Sequence, residues 1–139
     1  MSKPVCALIG VGPGNGTAIA RKFSSEGYKI ALLSRNEDYL KALAHELGET
    51  RAYAYDALDT TAPEKVFGKI KQELGPVDVL VYNAGSGMFG NVDEVNLSDF
   101  EHAWRINARR AYGSRQSGAA GYARRRERQH CRHRCNRIG

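Results

Sequence analysis

The run Val5-Cys-Ala-Leu-Ile9, the turn Gly10-Val-Gly12-Pro-Gly14-Asn-Gly16 and the segment Thr17 to Glu26 decide the fold. Five apolar residues in a row, bounded by glycine, read as a strand buried on both faces, because a strand wet on one face would alternate. After the turn, Ala18, Ile19 and Phe23 recur at helical spacing, and Gly27 closes that helix. Outward from this unit the pattern repeats. Tyr28 to Leu33 predicts a second strand, and Glu37 to Leu47 a second helix with Leu40, Leu43, Ala44 and Leu47 on one face and Gly48 after it. Arg51 to Tyr55 predicts a third strand. Pro63 then opens a helix through Leu74 with Val66, Phe67 and Ile70 inward, ended by Gly75-Pro76. Val77 to Tyr82 is the fourth strand. Beyond a loop from Asn83 to Asn96, Asn96 or Ser98 caps a helix carrying Phe100, Trp104 and Ile106. Strands joined by helix-length crossovers must run parallel, with helices on both faces. The expected fold is therefore α/β, a doubly wound parallel sheet in the order 3-2-1-4, truncated after the fourth strand and its helix.

The 139 residues leave room for one domain, and 42% hydrophobic with 26% charged residues is a globular composition. No apolar run approaches the roughly 18 to 20 residues of a membrane span. Val5 to Val11 is too short for a signal-peptide core. Three cysteines make no closed disulfide set, so a reducing, cytoplasmic setting is expected. Cys6 reads as a buried small hydrophobe, His45 and His102 as exposed or capping residues, and Trp104 as a core or interface anchor.

The net charge of +6 is unevenly placed. Residues 109–139 hold ten Arg, no Lys and one acid, Glu127, whereas residues 1–108 hold eleven basic and fourteen acidic residues. Two parts are thus expected: a nucleotide-binding half-domain over residues 1–108 and an arginine-rich tail over 109–139, disordered from about residue 113. The tail has two readings. Arg124-Arg-Arg-Glu-Arg128 and the later arginines suit a basic arm for nucleic acid or an anionic surface. Alternatively, the tail is the product of a shifted reading frame or alternative splicing. Arginine codons of the CGN type read one base later become GNN, and permitted codons turn residues 121–138 into a helix end, a glycine turn and an apolar strand. His130, Cys131, His133 and Cys135 stand too close together for common zinc spacings, so no metal site is expected.

Gly10, Gly14 and Gly16 form a G-x-x-x-G-x-G turn between a buried strand and a helix. Glycines there let the backbone turn sharply and approach a pyrophosphate, whose charge sits against the helix N-terminus. Together with Asp56 after the third strand and Asn83-Ala84-Gly85 after the fourth, this turn resembles the short-chain dehydrogenase/reductase family, classical type. The phrase Val77-Asp-Val-Leu-Val-Tyr-Asn-Ala-Gly85 is its most specific match, and the likeness covers residues 5 to about 108. The resemblance implies a Rossmann-like fold and a carbonyl reductase or alcohol dehydrogenase acting on a small carbonyl or alcohol. It further implies that Gly10, Gly12, Gly14, Asn15 and Gly16 hold the pyrophosphate, and that Asp56 faces the adenine edge. Asn83, Ala84 and Gly85 would line the cofactor, and Asn107 would support a water in the proton relay.

Cofactor choice is read at the end of the second strand, Ser34-Arg35-Asn36. A carboxylate that would bind a ribose 2′-OH is missing there, and Arg35 offers a fork of donors suited to a 2′-phosphate, with Ser34 and Asn36 adding hydrogen bonds. NADP is expected rather than NAD; the other reading of Arg35 pairs it with Glu37 or Asp38. The family's hydride transfer also needs a Ser and a Tyr-x-x-x-Lys pair. No tyrosine in the sequence has a lysine four positions on, and Tyr122 has Arg126 there instead. The chain is therefore expected to be catalytically incompetent alone. The alternative function is a nucleotide- or nucleic-acid-binding module without turnover. The fourth strand, with one edge unpaired and only Asp78 as a guarding charge, predicts self-association.

Overall fold

In the computed structural model, residues 2–59 and 61–118 are described. The tail's basic arm or shifted frame, the His130–Cys135 cluster and Tyr122 lie outside them. Four strands, β1 (Val5–Ile9), β2 (Lys29–Ser34), β3 (Thr50–Ala54) and β4 (Val77–Tyr82), alternate with helices α1 (Asn15–Ser25), α2 (Glu37–Leu47) and α3 (Ala62–Glu73). After β4 a long loop leads to α4 (Leu97–Trp104), which passes through a π turn at Arg105–Arg109 into α5 (Arg110–Gly118). All strand pairs are parallel and the sheet order is β3-β2-β1-β4.

The apolar run of β1 is buried along its whole length, and its residues alternate between two cores. Val5, Ala7 and Ile9 meet Ala31, Leu33, Tyr53 and the α3 residues Val66, Phe67 and Ile70. Cys6 and Leu8 meet Ile30, Leu32, Ala20 of α1, and Leu40 and Leu43 of α2. Each large apolar side chain so enclosed contributes about 1.5–3 kcal/mol, and this two-sided burial holds the sheet between its helix layers. Asn36 caps α2 by accepting from the Tyr39 amide at 3.1 Å, and Asn96 caps α4 by accepting from that of Asp99 at 2.9 Å.

Some sequence expectations are corrected. α1 begins two residues early; Ile19 and Phe23 pack against the core as expected, Gly16, Thr17 and Ala20 are buried beside them, and Ala18 is exposed. Trp104 is no core residue, being 53% exposed. The π turn spans residue 108, and α5 continues to Gly118, with Arg110 and Ser114 buried. Asp78 turns inward from the β4 edge. Its carboxylate accepts from the Val5 amide at 2.8 Å, where the β1–β4 register shifts.

Candidate functional site

The carboxyl ends of the four strands open into one cleft of about 370 Å³. Its floor is the turn after β1. Gly10 adopts φ +87°, and its amide donates to the Leu33 carbonyl at 2.9 Å. A Cβ on Gly10 would lie 2.3 Å from the amide nitrogen of Ala84, so only glycine lets the turn pass this close to the end of β4. A Cβ on Gly16 would lie 2.8 Å from the Gly10 carbonyl oxygen. Gly12 and Gly14 differ. A Cβ there would meet nothing within 4 Å, and neither has a left-handed φ. At Gly12, which lines the cleft, packing supplies no reason for glycine.

The second wall follows β4. Asn83 donates its side-chain amide to the Gly10 carbonyl at 3.0 Å, while its backbone amide donates to Ile9 at 2.8 Å. It thus clamps the two strand ends together as well as lining the cleft with Ala84 and Gly85. The third wall is the end of β2 and the turn after β3. Ser34 and Arg35 line it, and the Ser34 hydroxyl oxygen is buried with no hydrogen-bond partner among the described residues. A buried hydroxyl left unpaired costs free energy, so its orphaned state inside a cleft fits an incoming polar ligand. Arg35 is exposed and makes no ion pair among the described residues, while Glu37 pairs with Lys41 at 3.0 Å. Asp56 lines the same wall and accepts from the Leu58 amide at 2.9 Å.

Other expected site residues stand behind the lining. Asn15 and Gly14 lie at the N-terminus of α1, which has no side-chain cap, and Asn36 is spent on capping α2. Asn107 sits inside the π turn. It accepts from the Ser86 amide at 2.9 Å and donates to the Ser86 carbonyl at 2.8 Å, tying this helix to the β4 wall.

Sequence reasoning missed several supports. Thr17 is buried, and its hydroxyl donates to the Gly12 carbonyl at 2.6 Å and contacts the Tyr39 hydroxyl at 2.6 Å. His102, exposed as expected, also lines the cleft, as does Ile106. Their signal was available on the same helical stretch as Asn107, five residues and one residue before it. The Tyr82 hydroxyl donates to the Ile106 carbonyl at 2.6 Å, and burial holds its pKa above the ordinary value. Burial pushes the Cys6 thiol up to about 12, which suits the inert core residue expected there.

Among the described residues no group of three or more His, Cys, Asp or Glu is placed to hold a metal, and no helix is long and apolar enough to cross a membrane. The cleft brings together open glycine backbone, an exposed guanidinium, the Asp56 carboxylate and a buried hydroxyl without a partner among the described residues.

Comparison with known proteins identifies the family. The family model described as short chain dehydrogenase matches residues 4–117. A meso-2,3-butanediol dehydrogenase of Serratia marcescens is 36% identical over 98 residues, which are 69% of this chain and 39% of that protein. An alcohol dehydrogenase from the archaeon Thermococcus sibiricus, solved with 5-hydroxy-NADP, superposes with a TM-score of 0.81 at 29% identity over 86% of this chain and 53% of that one. A blue fluorescent protein from a metagenomic library, solved with NADPH, gives a TM-score of 0.79 at 32% identity over 86% of this chain and 51% of its own. The chain thus spans about two fifths to half of the length of these proteins.

Proposed function

Because the chain belongs to the short-chain dehydrogenase family, we propose that it is the nucleotide-binding half of an NADP-dependent oxidoreductase of the carbonyl reductase or alcohol dehydrogenase type. One observation carries this reading: three strand ends bring open glycine backbone, the Ser34-Arg35 pair and Asp56 to one cleft, with a buried hydroxyl awaiting a partner. The glycine turn and the start of α1 would hold the pyrophosphate. Arg35 and Ser34 would hold the 2′-phosphate, Asp56 would face the adenine, and Asn83-Ala84-Gly85 would line the cofactor's path. The bound nicotinamide supplies the hydride. Within this sequence Asn107 stands ready only as a support, because no tyrosine has the lysine four positions on that proton transfer in this family needs.

The reading makes two checkable statements. The 139-residue chain binds adenosine 2′,5′-bisphosphate more tightly than AMP by about ten- to hundredfold, the equivalent of a charge-assisted bond worth about 1.5–3 kcal/mol. Arg35→Asp abolishes that preference, measured by calorimetric titration; an unchanged ratio refutes NADP. The same preparation oxidises no NADPH in the presence of small aldehydes or ketones. A steady, protein-dependent loss of nicotinamide absorbance refutes its incompetence.

A further inference from the structure

The helix after the π turn carries a buried cation that the nucleotide site itself does not use. Arg110 is 9% exposed, and its guanidinium donates to the Leu58 carbonyl at 2.6 Å, across 52 residues of sequence. One turn later on the same helix face, the fully buried Ser114 meets the Tyr55 hydroxyl at 3.2 Å. Tyr55 and Leu58 bracket Asp56, and all three line the cleft. The start of this turn is anchored, since the Tyr55 amide donates to the Ser34 carbonyl at 2.9 Å and Ala57 packs against the core, but past Ala57 the remaining bonds are local. Asp56 accepts from the Leu58 amide at 2.9 Å, the Asp59 amide donates to the Asp56 carbonyl at 3.2 Å, and Asp59 accepts from Thr61 at 2.8 Å. Leu58 is 40% exposed, so apolar burial anchors this end of the turn weakly. A charged donor on its carbonyl is the strongest tether available to it.

We propose that Arg110 is a positioning residue: it holds the Leu58 carbonyl and thereby fixes the Asp56–Leu58 turn as a preformed wall for the adenosine end of a bound dinucleotide. The inference rests on the nucleotide reading above for what the wall receives. Its physical content is preorganisation. A turn already ordered by the helix is not ordered at the expense of binding, and fixing each loose residue would otherwise weaken affinity. Arg110 does not itself line the cleft, so it acts through Leu58 rather than on the ligand. Its neighbour Arg109 is exposed and carries the same charge, which makes it the matching control.

The test uses the full 139-residue chain with Arg110→Met, Arg110→Lys and Arg109→Met, read by amide hydrogen exchange and by titration with adenosine 2′,5′-bisphosphate. In Arg110→Met, the amides of Leu58 and Asp59 are expected to exchange at least about tenfold faster while those of β1 and β2 keep the parent's rates. Affinity is expected to fall roughly tenfold, with partial recovery in Arg110→Lys, whose ammonium also donates to a carbonyl. Arg109→Met should behave as the parent. Unchanged exchange in the turn overturns the proposal, as does equal loosening of turn and core, which marks a merely structural residue. An equal affinity loss in Arg109→Met overturns it too, since charge alone would then account for the effect. If the parent binds no adenosine 2′,5′-bisphosphate, the nucleotide reading fails, and exchange alone then decides whether Arg110 holds the turn.

Discussion

Substituting alanine at Gly10 and at Gly12 separates the two demands that the first turn makes on glycine. At Gly10 the added methyl has two independent costs. The backbone sits at φ +87°, where an L-residue loses about 1–2 kcal/mol relative to its preferred conformations. The Cβ would also stand 2.3 Å from the Ala84 nitrogen and 2.6 Å from the Asn83 carbonyl carbon, which are backbone atoms that no rotamer change can move aside. Overpacking of this kind costs about 1–3 kcal/mol. The sum, roughly 2–5 kcal/mol, approaches the whole stability of a small domain, about 5–15 kcal/mol. At Gly12 the methyl meets nothing within 4 Å and imposes no left-handed strain. Stability there should hold or rise by about 0.4–1 kcal/mol, through the reduced entropy of the unfolded chain. That methyl nevertheless stands on the cleft floor, so nucleotide binding should fall although the fold is intact. Urea denaturation followed by circular dichroism gives the first quantity, and calorimetric titration with adenosine 2′,5′-bisphosphate the second. Equal stability of the two variants, or a Gly12→Ala chain that binds like the parent, would refute the division of roles.

Two other outcomes follow from burial and from the sheet edge. Cys6 is pushed up to about 12 by burial, whereas in the unfolded chain it ionises near 9.0. Its contribution is complete below pH 9 and shrinks by about 1.4 kcal/mol per pH unit above it. The stability gap between the parent and Cys6→Ala should therefore narrow from pH 8 to pH 10, and a constant gap contradicts the shift. At the sheet edge, β4 pairs only with β1 among the described residues. The chain should self-associate as concentration rises; sedimentation showing a monomer throughout would sink this.

The fold was legible because its signals are periodic and local. A fully apolar β1, helices of about three turns and a glycine at each helix end leave little choice but parallel strands with crossovers. The error at α1 is confined to its start and to one residue: Ile19 and Phe23 pack against the core as read, but Ala18 lies outside the stripe that Gly16, Thr17 and Ala20 bury. The stretch beyond residue 108 is harder to read for a different reason. A segment almost without aliphatic side chains reads as the end of a core, yet α5 packs through polar contacts, Arg110 to Leu58 and Ser114 to Tyr55. Pairings between residues more than fifty positions apart leave no periodic trace in a sequence.

The site was legible as a set of positions and not as a set of roles. Gly10, Gly12, Gly14 and Gly16 look alike in the sequence, but contact distances divide them into two that let strands approach and two that leave backbone open. Asn83 was read as cofactor lining, and its amide is also the bond that fixes the β1 turn against β4. Asn107 was read as a support for a water, and both ends of its amide are engaged with Ser86. These residues form one connected frame: β1 to β4 through Asn83, β4 to the π turn through Asn107 and Tyr82, and α5 back to the β3 turn through Arg110 and Ser114. Three walls of the cleft are therefore cross-linked by polar bonds before any ligand arrives. A site ordered in this way does not have to be ordered by its ligand. Loosening a cross-link should then weaken nucleotide binding even where the altered side chain never touches the nucleotide.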